Sequence, residues 1–200
     1  MAFKSKKIIS SIASLLITSF VMFIYGCSPA NILAGGGATT MVVAEGDRSL
    51  GTVVDDATIK VNISAKFLSA GSSLFVNVNT TVLEGRVLLT GLVDNQETRI
   101  DAVRLVWEVD GVTEVINEIE TGNRESIKSY ANDLWINTQA KAVAAKTIGL
   151  RSVAYNFETI NGKIYVAGIT TKPEVVDILI NSLKTIKGVK EIINYVIIKN

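Results

Sequence analysis

Few side chains in this 200-residue chain could carry out covalent or acid–base chemistry. It has one cysteine, Cys27, and no histidine. The commonest general base and the commonest metal ligand are therefore missing, and a Cys/His zinc site cannot form. Carboxylates and hydroxyls are present, but no spacing among them indicates a catalytic group. We therefore predict no catalytic residue, no metal site and no cofactor, and the chain is not expected to be an enzyme.

Cys27 ends a segment that is typical of exported proteins. Three lysines within the first seven residues precede an apolar run, 8–25, and Gly26 stands directly before the cysteine. A positive start, an apolar stretch and a small residue at the cleavage site form a secretory signal. A cysteine after that small residue is similar to the bacterial lipobox, in which the thiol is joined to diacylglycerol and the signal is removed. We predict a signal peptide at 1–26 and lipidation of Cys27.

Two other interpretations of this segment stay open. The apolar run at 8–25 is at the short end of the length of a membrane-spanning helix, so one alternative is an uncleaved transmembrane helix. The other is an ordinary cleavable signal that happens to precede a cysteine. Ser28 follows Cys27 in place of the aspartate that retains lipoproteins in the inner membrane of many enteric bacteria. By that analogy we expect a lipid-anchored protein of the outer membrane that faces the periplasm.

The sequence repeats itself beyond this segment. When the chain is shifted so that Asp56 falls on Asp133, it matches itself without a gap. The other coinciding pairs include Ile59/Ile136, Gly85/Gly162, Gly91/Gly168, Gly111/Gly188 and Asn117/Asn194. Three coinciding glycines in one register indicate two tandem domains, since two copies are too few for a solenoid. The predicted parts are a flexible tether at 27–52 that contains Gly35–Gly37, a first domain at 53–121, a linker at 122–128 and a second domain at 129–200.

Each repeat has the same predicted order of elements: helix, strand, strand, helix and strand. Ile59, Ile63 and Phe67 recur every four residues, as they would on one face of a helix. Apolar residues then predict strands at about 74–82 and 151–159. The last strand of each repeat follows a glycine that can end the second helix.

Turn and cap residues mark the joints between these elements. Asn161-Gly162 is a strong signal for a two-residue hairpin turn, and Glu84-Gly85 is a weaker signal at the equivalent place. Thr171 and Pro173 predict the start of the second helix of the second repeat, with Thr171 as its cap. These elements predict an α+β fold in which each domain packs a three-stranded sheet on two helices.

This combination resembles the BON domain. The resemblance rests on the α-β-β-α-β order, on the hairpin glycine, on Gly91 and Gly168, and on the Gly-Val pair that opens each last strand. Two tandem copies behind a lipobox cysteine resemble the dual-BON outer-membrane lipoproteins, over roughly residues 46–198. The resemblance implies a non-catalytic envelope protein that is linked to outer-membrane integrity and whose second domain binds anionic phospholipid.

The resemblance also implies a site, the first helix of the second domain. Trp135 and Ile136 match the start of that helix. On an ideal helix Lys146 lies about 20° from Trp135, and Lys128 lies near the same line if the helix starts early. A tryptophan with flanking lysines suits a lipid headgroup interface. The alternative is that Trp135 packs between the two domains, and we expect Trp107 to lie in the core or between the domains.

The two predicted domains carry net charges of opposite sign. Residues 47–121 contain 6 basic and 12 acidic side chains, a net charge of −6, whereas residues 129–200 contain 9 and 5, a net charge of +4. Segments of opposite sign on one chain indicate different partners, and an anionic phospholipid membrane suits the positive one. The alternative function is an adaptor or chaperone-like module for outer-membrane protein assembly. A nucleic-acid partner is not expected for an exported, nearly neutral chain.

Overall fold

The computed structural model describes residues 49–122, the first repeat, and residues 127–199, the second repeat. The elements of the first repeat are α1 (Leu50–Ala70), α2 (Ser72–Asn77), β1 (Val78–Leu83), β2 (Arg86–Val93), α3 (Gln96–Trp107) and β3 (Glu114–Thr121). Those of the second are α4 (Ile127–Ile148), a 3-10 turn (Gly149–Ala154), β4 (Tyr155–Ile160), β5 (Lys163–Thr170), α5 (Pro173–Leu183) and β6 (Glu191–Ile198). The predicted signal peptide, Cys27 and the glycines of the tether lie outside the described residues.

Both repeats contain a three-stranded sheet with the same topology. The strand orders are β1-β2-β3 and β4-β5-β6. In each sheet the first two strands form an antiparallel hairpin, and the last strand pairs in parallel with the middle one. A parallel neighbour requires a crossover, and α3 and α5 provide it. The predicted α+β class with two three-stranded sheets is confirmed.

Helix α1 carries the predicted core face. Its apolar residues Ile59, Ile63 and Phe67 are buried among residues of α3 and of the sheet. The helix begins at Leu50, inside the predicted tether, because the Ser49 hydroxyl accepts a hydrogen bond from the Thr52 N–H at 3.1 Å and caps the first turn.

Two predicted boundaries were wrong. The first strands begin at Val78 and Tyr155 rather than at 74 and 151, because the residues before them form α2 and the 3-10 turn. Leu74 of α2 reaches the core from a helical turn, so an apolar run that resembles a strand is helical.

Helix α5 has Pro173 in its first turn as predicted, but Thr171 is not its cap. Lys172 occupies the cap position and makes no side-chain capping hydrogen bond.

The predicted hairpin turns are confirmed in both repeats. Glu84 and Gly85 have φ of 55° and 77°, and Asn161 and Gly162 have φ of 52° and 81°. Two central residues with positive φ are the requirement of a type I′ turn, whose twist matches that of the flanking strands.

A carboxylate from the first helix of each repeat holds the hairpin turn in place. Asp56 accepts hydrogen bonds from the N–H groups of Glu84 and Gly85 at 2.8 and 2.9 Å. Asp133 accepts the equivalent bonds from Asn161 and Gly162, both at 2.8 Å. The repeat had aligned these two aspartates, but their role depends on a contact between residues 28 and 29 positions apart.

The two sheets pack against each other through the faces that their own helices leave uncovered. The buried members of one shared cluster are Leu83, Leu88, Ala167 and Ile169. Those of the other are Leu92, Ile160 and Tyr165. The shift that aligns the two repeats exchanges the clusters, since Leu88 in the first corresponds to Tyr165 in the second. The repeats are therefore related by an approximate twofold axis, as in a symmetric dimer.

Polar contacts border this interface. Tyr195 donates a hydrogen bond to Glu118, its equivalent in the first repeat, as expected close to a twofold axis. Burial alone would raise the pKa of Glu120, but hydrogen bonds from Lys163 and Asn161 outweigh it and leave the pKa below its usual value. These contacts join the two repeats into a single folded unit, and among the residues that the structure describes no member of their buried clusters precedes Ile59. The segment 42–200 therefore carries its own core.

One edge strand of each sheet, β3 and β6, is protected by the same side-chain contact. The Asn117 side-chain oxygen accepts a hydrogen bond from the N–H of Ile119 at 3.1 Å in β3, and Asn194 accepts one from Val196 at 3.0 Å in β6. These N–H groups point away from the neighbouring strand, so each asparagine occupies a donor that another strand would need. Such blocking disfavours edge-to-edge association.

Candidate functional site

The four predicted lipid-binding residues do not share one exposed face in the structure. Trp135 is 45% exposed and Lys146 is exposed on α4. Ile136 is completely buried in the core of the second repeat. Its assignment to the lipid site is therefore wrong for this fold, because one residue along a helix turns the side chain by about 100°, from the outer face to the core. The side chain of Lys128 lies outside the described part of the chain.

The outer face of α4 is an apolar strip between two lysines. With about 100° per residue, its exposed residues can be ordered across the face. From one lysine to the other they are Lys141, Leu134, Ala145, Thr138, Ala131, Ala142, Trp135 and Lys146. This lysine-edged strip spans about 140° of the helix surface. Apolar side chains in the middle and cations at both margins are the pattern of a helix that lies in a membrane interface.

The one hydroxyl group in the middle of the strip, that of Thr138, already has a hydrogen-bond partner. The Thr138 hydroxyl donates a hydrogen bond to the carbonyl oxygen of Leu134 at 2.8 Å. A hydroxyl bound to its own helix can be covered by an apolar medium without losing a partner. The central residues are mostly alanines, so the apolar area is supplied chiefly by Leu134 and Trp135, and contact with an apolar phase would be shallow.

Further apolar residues lie beyond the end of α4. Leu150 is 71% exposed, and Val153 of the same 3-10 turn is also exposed. Val153 borders a cavity of about 280 Å³ that is also lined by Lys141, Ser152 and Glu158. Burial raises the pKa of Glu158, and the positive charges of nearby lysines oppose that shift. Lys141 thus stands between the strip and this polar cavity.

Sequence reasoning missed Leu134, Lys141 and Leu150. Leu134 and Lys141 are seven residues apart, so they lie on one face of the helix. The same reasoning placed Lys146, eleven residues on, close to Trp135, and it would have found Leu134 and Lys141 as well. Leu150 could not be found in this way, because it lies in a turn after the helix where the helical period no longer applies.

The alternative position for Trp135 is not observed. The interface between the repeats is built from the sheets, and Trp135 belongs to neither of its clusters. The prediction for Trp107 was wrong, since this side chain is 53% exposed. Trp107 ends α3 one residue after buried Val106, and that step turns its side chain away from the core.

The acidic residues of α3 form surface ion pairs. Arg104 contacts Asp101 at 3.2 Å and Glu108 at 2.9 Å. The hydrogen bond and charge of Lys66 lower the pKa of Glu108, with a smaller contribution from Arg104. Exposed pairs of this kind add little stability, and this face is a solvated surface.

Neither a metal centre nor a membrane span is found in the part of the chain that the structure describes. Residues 49–122 and 127–199 contain no group of three acidic or thiol side chains placed to hold a metal ion. No helix in these ranges combines the length and the apolar character that crossing a bilayer requires.

Comparison with known proteins supports the fold of the first repeat. The model of the BON domain matches residues 55–123, which is the first repeat. The chain is 37% identical over 148 residues to a protein from the gshII 5′ region of Anaplasma centrale, covering 74% of this chain and 97% of the relative. It is 30% identical over 179 residues to the outer membrane lipoprotein DolP of Haemophilus influenzae, covering 89% and 91%.

A third relative is the 21 kDa hemolysin of Actinobacillus pleuropneumoniae, which is 29% identical over 154 residues, covering 74% of this chain and 78% of the relative. The resemblance drawn from the hairpin glycines and the element order is confirmed for the first repeat. With these similarities spanning most of both chains, the protein belongs to the BON-domain family, as a DolP-like member.

Proposed function

We propose that this protein is a non-catalytic lipoprotein of the outer membrane, with two BON domains, that binds anionic phospholipid through its second domain and supports outer-membrane integrity. The observation that carries the proposal is the lysine-edged strip on α4. Its cations can meet lipid phosphates while Leu134 and Trp135 enter the boundary between headgroups and acyl chains.

The proposal treats the second repeat as a BON domain. Its strand order and registers are those of the first repeat. Its hairpin turn has the same positive φ values, and Asp133 holds that turn as Asp56 holds the first. Together these features support a duplication of one domain.

Charge supports an anionic surface as the ligand. The net charge of +4 over residues 129–200 is concentrated in the repeat that carries the strip. Each basic residue close to an anionic membrane contributes about 1 kcal/mol, so Lys141 and Lys146 would together account for about 2 kcal/mol. High salt should weaken the binding, because it screens exposed charges.

The proposed anchor gives this binding a particular use. If Cys27 is lipidated as we propose, its acyl chains hold the protein on a membrane without help from α4. The name of the Haemophilus relative, an outer membrane lipoprotein, supports such an anchor. The second domain would then determine where on the membrane the protein resides.

Vesicle binding by a variant in which Trp135 is replaced tests whether the lysine-edged strip is the lipid site. The segment 42–200 should co-sediment with vesicles that contain anionic phospholipid and not with vesicles of neutral phospholipid. Trp135→Glu should weaken this binding at least tenfold, a loss of about 1.4 kcal/mol, because a carboxylate would replace the largest apolar side chain of the strip and face the lipid phosphates.

Trp107→Glu is the matched control. It makes the same substitution at the other exposed tryptophan, 53% exposed against 45% for Trp135, and should leave vesicle binding within twofold of the unmodified segment. Equal binding by the Trp135 and Trp107 variants would rule out the strip as the lipid site.

A further inference from the structure

The outer face of α1 is an uncharged strip that the first repeat exposes to solvent. Its residues occupy the positions of the first repeat that are equivalent to the lysine-edged strip of α4. Across the helix they are Ser64, Ala57, Leu68, Val61, Val54, Ala65, Thr58 and Ser69. This neutral strip also spans about 140° of helix surface. A surface helix normally places charged residues on the face opposite its core, so α1 is apolar on two sides.

Three aliphatic residues run along the middle of the neutral strip at seven-residue intervals. Val54, Val61 and Leu68 are all exposed, and Val61 is 66% exposed. Single exposed aliphatic residues are common in proteins, but a seven-residue period is the spacing at which one helix meets another. Helix α1 as a whole has 21 residues, which is long enough to pair with a partner helix of about three heptads.

The hydroxyl groups of the strip do not need water. Thr58, Ser64 and Ser69 each donate a hydrogen bond to the carbonyl oxygen four residues earlier, at 2.9, 2.9 and 2.8 Å. Their side chains therefore add carbon surface at the margins of the strip. Covering the strip would leave no hydroxyl donor without a partner, which removes the usual cost of burying polar groups.

The two repeats have diverged at this face in opposite directions. Where α1 has Val61 and Leu68, α4 has Thr138 and Ala145; where α4 has Trp135, α1 has Thr58. The margins differ as well, since serines replace the two lysines. The copies share their cores and turns, so the divergence of one exposed face indicates that the two faces contact different partners.

Charge identifies the kind of partner. The neutral strip lacks the margin lysines that would meet lipid phosphates, and the first repeat carries a net charge of −6 over residues 47–121. Beside the N-terminal end of the strip, Asp55 and Asp110 line an open cavity of about 490 Å³. An anionic membrane would be repelled by this repeat, whereas a basic protein segment would be attracted to it.

We propose that the neutral strip is a docking surface for an amphipathic helix of a partner protein, one whose apolar seam is flanked by lysine or arginine. The seam would pack on Val54, Val61 and Leu68, and a basic side chain would approach Asp55. A second copy of this chain fits less well, because two first repeats repel each other and the Asn117 and Asn194 side chains disfavour association through the β3 and β6 edges.

Two synthetic helical peptides of three heptads test this proposal. Both carry leucine at the seam positions; one has lysines flanking the seam and the other has glutamates. Binding of each labelled peptide to the segment 42–200 is followed by fluorescence anisotropy. The lysine peptide should bind at least tenfold more tightly than the glutamate peptide. Val61→Asp should weaken the lysine peptide at least tenfold, because it places a charge in the middle of the seam.

Ile178→Asp is the control, since it introduces the same charge at an exposed aliphatic residue of α5, where the first repeat has Asp101. It should leave peptide binding within twofold. Circular dichroism should show the same helix content for both variants, because both sites are exposed. Equal peptide binding by the Val61 and Ile178 variants would overturn the proposal.

Two further measurements exclude the other occupants. Sedimentation equilibrium should find the segment monomeric; a dimer that Val61→Asp dissociates would make a second copy the occupant and overturn the proposal. Anionic vesicles should bind Val61→Asp as they bind the unmodified segment. A loss of vesicle binding in that variant would make the membrane the occupant, with the same consequence.

Discussion

Replacing Asp56 with alanine is expected to lower the free energy of unfolding by about 3 kcal/mol. Its carboxylate accepts two backbone hydrogen bonds in a site where only 5% of the residue is exposed. A hydrogen bond to a charged group contributes about 1.5–3 kcal/mol, and an amide left without a partner in a buried site adds its own desolvation cost. The loss should therefore exceed that of an ordinary surface substitution by a wide margin.

Urea unfolding of the segment 42–200, followed by circular dichroism, measures this effect. Asp56→Asn keeps one acceptor oxygen and should lose about half as much free energy as Asp56→Ala. Asp55→Ala is the matched control because Asp55 is the exposed neighbour on the same helix, and its effect should stay within about 0.5 kcal/mol. Equal losses for the Asp55 and Asp56 variants would show that the turn does not depend on this carboxylate.

Gly91→Ala should be still more destabilising, by more than about 3 kcal/mol. A Cβ atom at Gly91 would lie 2.1 Å from the backbone oxygen of Asn77, and φ at this residue is +150°. Neither the end of α2 nor the middle of β2 can move without disturbing the β1–β2 hairpin. The steric clash and the backbone strain therefore add to each other.

Gly71→Ala separates these two contributions. Gly71 has nearly the same φ, +147°, but no atom lies within 4 Å of a Cβ built there. Its substitution should cost on the order of 1 kcal/mol through strain alone, and the difference between the two variants measures the clash. If both variants unfold at the same urea concentration, the close approach of Asn77 to Gly91 does not constrain the hairpin.

Local signals predicted the parts of the fold that depend on neighbouring residues. The Asn161-Gly162 turn was predicted because positive φ at two successive positions selects for those residue types. The buried face of α1 was predicted because Ile59 and Ile63 are one helical turn apart. The start of β1 was not, since the apolar residues of α2 have the composition of a strand and only the contact of Leu74 with the core makes them helical.

Long-range contacts account for most of what the sequence did not reveal. The sequence analysis predicted only that each sheet packs on its two helices, and the packing of one sheet on the other was missed. A signal for it exists in the unbroken apolar runs Val87–Leu89 and Ile164–Ala167, because strands buried on both faces lose their alternation. The role of Asp56 was also missed, since nothing local connects it to a turn 28 residues away.

The candidate site, like the fold, was predicted only in part. The family resemblance indicated Trp135, the helical period placed Lys146 beside it, and the structure exposes both on α4. Ile136 was included because the resemblance matched it, with Trp135, to the start of this helix, although the helical period assigns it to the core. A match to the start of a helix therefore does not show which face a residue lies on, whereas its angular position does.

Fluorescence of Trp135 tests the proposed lipid contact most directly. In a Trp107→Phe variant of the segment 42–200, Trp135 is the only tryptophan. Because its side chain would move from water to the headgroup interface, its emission should shift to shorter wavelength on titration with anionic vesicles, and brominated lipid in those vesicles should quench it. Neutral vesicles should produce neither change. If the segment binds anionic vesicles while the Trp135 emission stays unshifted and unquenched, the lysine-edged strip is not where this protein contacts lipid.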